Sequence, residues 1–194
     1  DTVLALKKEY DKDIEIHLGL ETEYFPRFWD QLIDFLSDYP FEYFVLGQHS
    51  LGNEIEKILY SGHGTTDGSY LKQYVDQCLA GIDTGKYRYL AHPDLFLFNG
   101  DEAVFDREHR RLCREVKKRN IPLEINFLGL MEERWYPNEK FWKIAGEEGN
   151  TAVFGCDAHT PKAVWNPETE QKALQLAAKY GLKVQETVPM PKTF

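Results

Sequence analysis

A chain of 194 residues with 42% apolar side chains can bury one substantial core, and a single domain over residues 1–194 is expected. A formal charge of −9 with no long Lys/Arg cluster argues against a nucleic-acid partner, and no apolar run approaches a membrane span. The 3 cysteines, Cys78, Cys113 and Cys156, are widely spaced and form no CxxC, which points to a reducing compartment and a cytoplasmic location.

Taken in chain order, residues 1–10 read as the back half of an amphipathic helix without an initiator Met, so an upstream segment is expected. Residues 13–18 read as a strand that runs through Gly19-Leu20 into Glu21. Pro26 suits the first turn of the next helix, whose apolar positions Phe28, Trp29, Leu32, Ile33, Phe35 and Leu36 recur at close to the helical period. A strand ending at Leu46 runs into His49, and a polar, Gly-rich loop over residues 61–69 leads to a helix over 71–82.

A strand over residues 87–91 runs into His92-Pro93-Asp94, and a charged helix follows from about 101 to 119. Residues 121–126 form the next strand, with Pro122 near its start, where a lost donor costs least. A loop rich in Gly, Trp and Tyr then leads to a helix near 138–148. The strand over 151–154 runs into Gly155-Cys156-Asp157-Ala158-His159, and a helix over 167–180 ends before Gly181, with a short strand at 182–184. Strict alternation of strand and helix predicts a parallel sheet with right-handed crossovers.

Residues that ligate metals therefore recur at four strand ends: Glu21, His49, His92, and Asp157 with His159. In a barrel, all of them fall on the C-terminal face, where such folds place their chemistry. Each alone has a plain alternative, such as a loop histidine satisfied by its neighbours or a carboxylate capping a turn. Four equivalent placements favour one metal site. Asp157 and His159 flank one residue, so both side chains point the same way in extended backbone. Asp94 is placed to orient the His92 imidazole.

Other residues stand near the same face. His63, in the Gly-rich loop, is a candidate substrate contact, and Asn126 is expected at the site rim, with buried strand filler as the rival. Arg134 suits bidentate bonding to phosphate, with a plain exposed charge as its rival. His17 reads as a packing or supporting residue within its strand, and His109 as part of a solvated helix face. Cys156 reads as a small packing residue.

Taken together, these segments resemble the polymerase and histidinol phosphatase (PHP) superfamily, and within it the histidinol-phosphatase branch. Leu18-Gly19-Leu20-Glu21-Thr22-Glu23-Tyr24 is similar to that branch's Gly-hydrophobic-Glu-x-(Asp/Glu)-Tyr segment. Val45-Leu46-Gly47-Gln48-His49-Ser50-Leu51 is similar to its Ser-Val-His strand end, and Ala91-His92-Pro93-Asp94-Leu95 to its Gly-His-Pro-Asp motif. Leu123-Glu124-Ile125-Asn126 with Gly129-Leu130 and Tyr136-Pro137 follows its Glu-x-Asn…Gly-Leu…Tyr-Pro pattern, and Gly155-Cys156-Asp157-Ala158-His159 its Ser-Asp-Ala-His.

The resemblance implies an α/β fold, a distorted (β/α)7 TIM-like barrel. It further implies two or three divalent metals (Zn, Mn or Fe) and hydrolysis of a small phosphomonoester, with L-histidinol phosphate of histidine biosynthesis as the first expectation. Glu21, His49, His92, Asp157 and His159 fall on the family's ligand positions, with Asp157, His159 and Glu21 carrying catalysis. The family opens with a strand carrying His-x-His, and its second strand ends in another His. Neither is found here, so the chain is expected to lack its first two βα units and part of the ligand set. A phosphoesterase for a phosphotyrosine peptide or a nucleotide, and a metal-poor PHP-like binding module, are the competing readings.

Overall fold

The computed structural model describes residues 2–52 and 59–190. Six strands form one sheet, ordered β1 (Gly19–Thr22), β2 (Tyr43–Leu46), β5 (Tyr87–Leu90), β6 (Leu123–Asn126), β7 (Thr151–Gly155) and β8 (Lys183–Val184). Every neighbouring pair is parallel and the strands lie in chain order, as repeated βα units dictate. Among the described residues the sheet is open, with β1 and β8 at its edges. Two short strands, β3 (Ser50–Leu51) and β4 (Leu59–Tyr60), pair antiparallel beside it.

The helices are α1 (Thr2–Glu9), α2 (Trp29–Leu36), α3 (Gly68–Asp83), α4 (Glu102–Lys118), α5 (Phe127–Met131), α6 (Glu139–Glu148) and α7 (Pro167–Lys179). Their starts are written in the sequence. The side chains of Asp67, Asp101, Asn138 and Asn166 accept from first-turn N–H groups of α3, α4, α6 and α7. Gly149 closes α6 in the left-handed conformation at φ 70°. No helix among the described residues is long and apolar enough to cross a membrane.

Alternation along the strands sets the two faces of the sheet. Phe44, Leu46, Leu90, Leu123, Ile125 and Ala152 are buried in the hydrophobic core with α3, α4 and α6. Val45, Tyr89, Glu124 and Gly155 instead line a cavity on the opposite face. Packing thus consumes one half of β2, β5, β6 and β7 and leaves the other half facing the cavity side.

Several sequence expectations are corrected. Residues 13–18 form no strand; the strand starts at Gly19 because the N–H of Leu18 goes to the Glu42 carboxylate, at 3.0 Å, before a neighbouring strand is engaged. His17 accordingly lies outside β1, with Nδ1 2.7 Å from Glu42 Oε2. Pro26 precedes its helix, in a turn where Phe28 N–H bonds the Phe25 carbonyl, and α2 begins only at Trp29. The expected loop after β6 contains α5, started by Asn126. The 61–69 loop holds a short 3-10 turn, Ser61–His63. The expected opening helix is α1, none of whose residues is buried; Asp1 lies outside the described residues.

His109 departs furthest from expectation. It is 1% exposed, not on a solvated face, because the inner stripe of α4 presses it against Phe105 and Phe141, with ring centroids at 4.1 and 5.3 Å. Its Nδ1 lies 3.0 Å from the Phe105 carbonyl oxygen. Burial drives its pKa down to about 4, against the pull of that carbonyl. Between the unfolded value near 6.5 and about 4, the unfolded chain binds the proton and the folded chain does not. This contribution to stability is therefore present above pH 6.5 and is lost as pH falls towards 4. The loss amounts to about 3 kcal/mol. Urea unfolding at stepwise lower pH should show it, and His109→Gln should unfold with a visibly flatter acid slope.

Trp142 is the largest fully buried side chain and stacks edge-on with Phe141 at 5.3 Å. Trp142→Ala is expected to cost about 3–5 kcal/mol of unfolding free energy, since the surrounding helices cannot close the cavity. A urea midpoint close to wild type would contradict this packing.

Candidate metal centre

Parallel strands in chain order deliver their C-terminal ends to one face, and the polar residues of the motifs gather there. Glu21 lies within β1, paired in register with Val45 of β2. His49 follows β2, His92 follows β5, Asn126 ends β6, and Asp157 follows β7. Side-chain donor atoms of Glu21, His49 and His92 all lie within 4.8 Å of one another. His92 Nε2 stands 3.2 Å from Glu21 Oε1, and His49 Nε2 stands 3.8 Å from the same oxygen. The two imidazole rings are 4.7 Å apart. Such spacings suit donors that share one ion at about 2.0–2.2 Å each.

Asp157 and His159 lie beside this group and contact each other. His159 Nε2 is 3.1 Å from Asp157 Oδ1, and Asn126 Nδ2 donates to Asp157 Oδ2 at 3.1 Å. Glu21, His92, Asn126 and Asp157 line one cavity of about 120 Å³. His49 reaches this group through its contacts with Glu21 and His92, and the electrostatic influence of His159 extends to Glu21. The five residues differ in exposure: the His92 side chain is 3% exposed and that of His159 is 75% exposed, so one is the floor and the other the mouth.

The electrostatics favour an ionised carboxylate between imidazoles. The hydrogen bond to His92 holds the Glu21 carboxyl below the usual range against the opposing pull of burial. Burial lowers the His49 pKa, helped by the neighbouring His92. Burial also acts to lower that of His92, but the carboxylates of Glu21 and Glu124 outweigh it and leave it raised. Metal ligation requires deprotonated donors, so a cation held here would compete with protons for the two imidazoles.

Two glycines make room for carboxylates. A Cβ on Gly47 would fall 1.8 Å from Glu21 Oε1, and a Cβ on Gly155 would fall 1.7 Å from Glu124 Oε1. These cradles fit the donor set, because each keeps an acidic group turned towards the cavity. His92 and Asp157 also adopt left-handed backbone, at φ 29° and 46°, and strained conformations of this kind cluster at functional sites.

The remaining sequence candidates fall at different places. Asn126 lies inside, not at the rim; it is 1% exposed, and its Oδ1 accepts from Gly129 N–H to start α5. Arg134 binds the Glu132 carboxylate through Nε at 2.8 Å and donates to the Tyr136 hydroxyl at 2.7 Å. The Tyr136 ring in turn lies 5.9 Å from that of His92, so Arg134 reaches the centre through one intervening side chain. His63 is exposed and packs edge-on against Tyr60 at 5.4 Å. Cys156 Sγ contacts the Val164 carbonyl at 3.0 Å.

Asp94 does not orient the His92 imidazole. Its carboxylate accepts from the N–H of Asn138, because the turn after β5 directs it to the start of α6, and among the described residues His92 Nδ1 is buried without a partner. Burial pushes the Asp94 pKa up to about 7.

Two carboxylates outside the expected ligand set, Glu23 and Glu124, also support the site. Glu23 accepts from the backbone N–H groups of His49, at 3.0 Å, and Ser50, at 2.7 Å, and so fixes the loop that carries His49. Glu124 is 4% exposed and accepts from His92 N–H at 2.9 Å. The period-two rule was the available signal for Glu124, since it places that residue on the same strand face as Asn126.

Comparisons with protein-family models and with curated proteins find no match to this sequence. Among solved structures, a histidinol phosphate phosphatase from Lactococcus lactis subsp. lactis Il1403, complexed with zinc, L-histidinol and phosphate, superposes with a TM-score of 0.70. The match covers 98% of this chain and 77% of that one, at 20% sequence identity. The two chains share a fold. The expected α/β class is therefore the observed one, and Glu21, His49 and His92, whose donor atoms could hold a metal ion, lie on a fold shared with that phosphatase.

Proposed function

We propose that this chain is a metal-dependent phosphomonoester hydrolase of the PHP type, with L-histidinol phosphate as its substrate. The observation that carries the reading is the convergence of Glu21, His49 and His92 within 4.8 Å at the ends of three parallel strands. The solved phosphatase of the same fold, with its zinc, L-histidinol and phosphate, supports the choice of metal and substrate. Closure of the open sheet into a distorted (β/α)7 barrel belongs to the same proposal, as does a cytoplasmic setting.

In this reading Glu21, His49, His92, Asp157 and His159 hold divalent metal, and mixed nitrogen and oxygen donors admit zinc, manganese or iron. Bound metal supplies an activated water and neutralises phosphate charge. The chain's own residues do the rest. Hydrolysis forms one P–O bond from water and breaks the P–O bond to the alcohol, which leaves with a proton. Asp157 holds the imidazole of His159 at 3.1 Å at the open mouth, where substrate enters and alcohol departs. Asn126 fixes Asp157 from below. Arg134 exchanges Glu132 for the phosphate, for which its planar fork is suited, and His63 contacts the organic part of the ester.

The test is phosphate release from L-histidinol phosphate, a phosphotyrosine peptide and a nucleotide, each with added zinc or manganese and again after chelation. Preferential, chelator-sensitive turnover of histidinol phosphate supports the reading. Faster release from either alternative overturns the substrate, and metal-independent turnover overturns the centre.

A further inference from the structure

We infer that Glu124 is the positioning residue of this centre: a buried carboxylate that holds His92 on one side and Asp157 on the other without itself needing to be a ligand. The inference rests on the metal-site reading above and deepens it. Glu124 stands on β6, between β5, which leads to His92, and β7, which leads to Asp157. Its Oε2 accepts from His92 N–H at 2.9 Å and from Asn126 Nδ2 at 3.0 Å. The same Asn126 nitrogen donates to Asp157 Oδ2 at 3.1 Å. One oxygen therefore ties together the two residues of the centre with left-handed backbone, at φ 29° and 46°.

The other oxygen explains a glycine. Glu124 Oε1 occupies the space that a side chain at position 155 would take, 1.7 Å from the ideal Cβ. Gly155 pairs in register with Asn126, so carboxylate, amide and glycine form one interlocked unit across β6 and β7. The bland alternative is a carboxylate that merely fills the sheet interior. A buried carboxylate is costly unless its hydrogen bonds are made, and both partners of this Oε2 belong to the centre.

The two accounts differ in what they predict for replacements of equal size. Glu124→Met keeps the volume and removes the acceptor, leaving the His92 N–H and one of the two N–H groups of the Asn126 amide unsatisfied. Glu124→Gln keeps an oxygen that can accept from both. Zinc affinity, measured by competition with a chromophoric chelator on protein shown to be folded by circular dichroism, should fall about 10–100-fold for Glu124→Met, the usual cost of losing support behind a ligand. Glu124→Gln should stay within a few-fold of wild type. Gly155→Ala, which displaces the carboxylate, should weaken zinc on its own and add nothing in the double variant with Glu124→Met.

Wild-type affinity in folded Glu124→Met overturns the inference alone. Equal losses in Met and Gln variants assign the effect to charge and also overturn it. Wild-type protein that binds no zinc overturns the proposed function and the inference together. If Glu124→Met does not fold, Gly155→Ala decides: unchanged zinc affinity there overturns the inference.

Discussion

If the proposed activity holds, Asp157→Asn is expected to lower phosphate release from histidinol phosphate by on the order of a hundredfold or more, with zinc or manganese at saturation, while the protein stays folded. Both halves of this expectation follow from the surroundings of the side chain. Asp157 shares one oxygen with His159 and the other with Asn126, each at 3.1 Å. An asparagine can accept from Asn126 through its oxygen and donate to His159 through its nitrogen, so the local hydrogen bonds survive. Asparagine also tolerates the left-handed backbone at φ 46° better than most residues. What it lacks is the negative charge that holds a cation. The apolar strand beneath, β7, keeps its packing through Ala152 and Val153. Turnover is checked alongside circular dichroism, and a variant with near-normal rate and bound metal places the ligand set elsewhere.

The second large effect comes from one methyl group. In Gly47→Ala the new Cβ meets Glu21 Oε1 at 1.8 Å, Cδ at 2.7 Å and Cγ at 2.9 Å. No flexible alternative exists on the glycine side, so the Glu21 side chain must move. It is free to do so, being 41% exposed, and the clash therefore costs little folding energy. Metal affinity is expected to fall about 10–100-fold, as when the support of a ligand is removed. The thermal midpoint should shift by only a few degrees, because a surface carboxylate regains water as it swings out. Zinc titration and thermal unfolding on the same sample check both. A large loss of stability with zinc binding intact would mean that Gly47 serves the fold and not Glu21.

The fold was legible where one periodicity dominates. The helix through Leu71, Val75 and Leu79 and the strand Leu123–Asn126 carry apolar or alternating patterns that no local contact overrides. It was illegible where a side chain replaced a backbone partner. Residues 13–18 alternate like a strand, yet the Glu42 carboxylate takes both the Leu18 N–H and the His17 imidazole. His109 lies in a run of charges that reads as solvated, and only the packing of α4 against α6 buries it. In the site, the histidines and acids at strand ends were visible because one strand end is one local signal. The glycines at 47 and 155 were not, since each answers to a carboxylate on a different strand. Glu124 shares a strand face with Asn126 in the sequence alone, but its link to His92 forms only when β5 and β6 lie side by side.

Whether Glu21, His49 and His92 together hold a divalent ion is decided by anomalous diffraction from crystals grown with zinc. A strong anomalous peak is expected about 2.0–2.2 Å from a Glu21 carboxylate oxygen and from one ring nitrogen each of His49 and His92. A map in which those three side chains stay as they are and zinc sits elsewhere or is absent would show that they hold no ion.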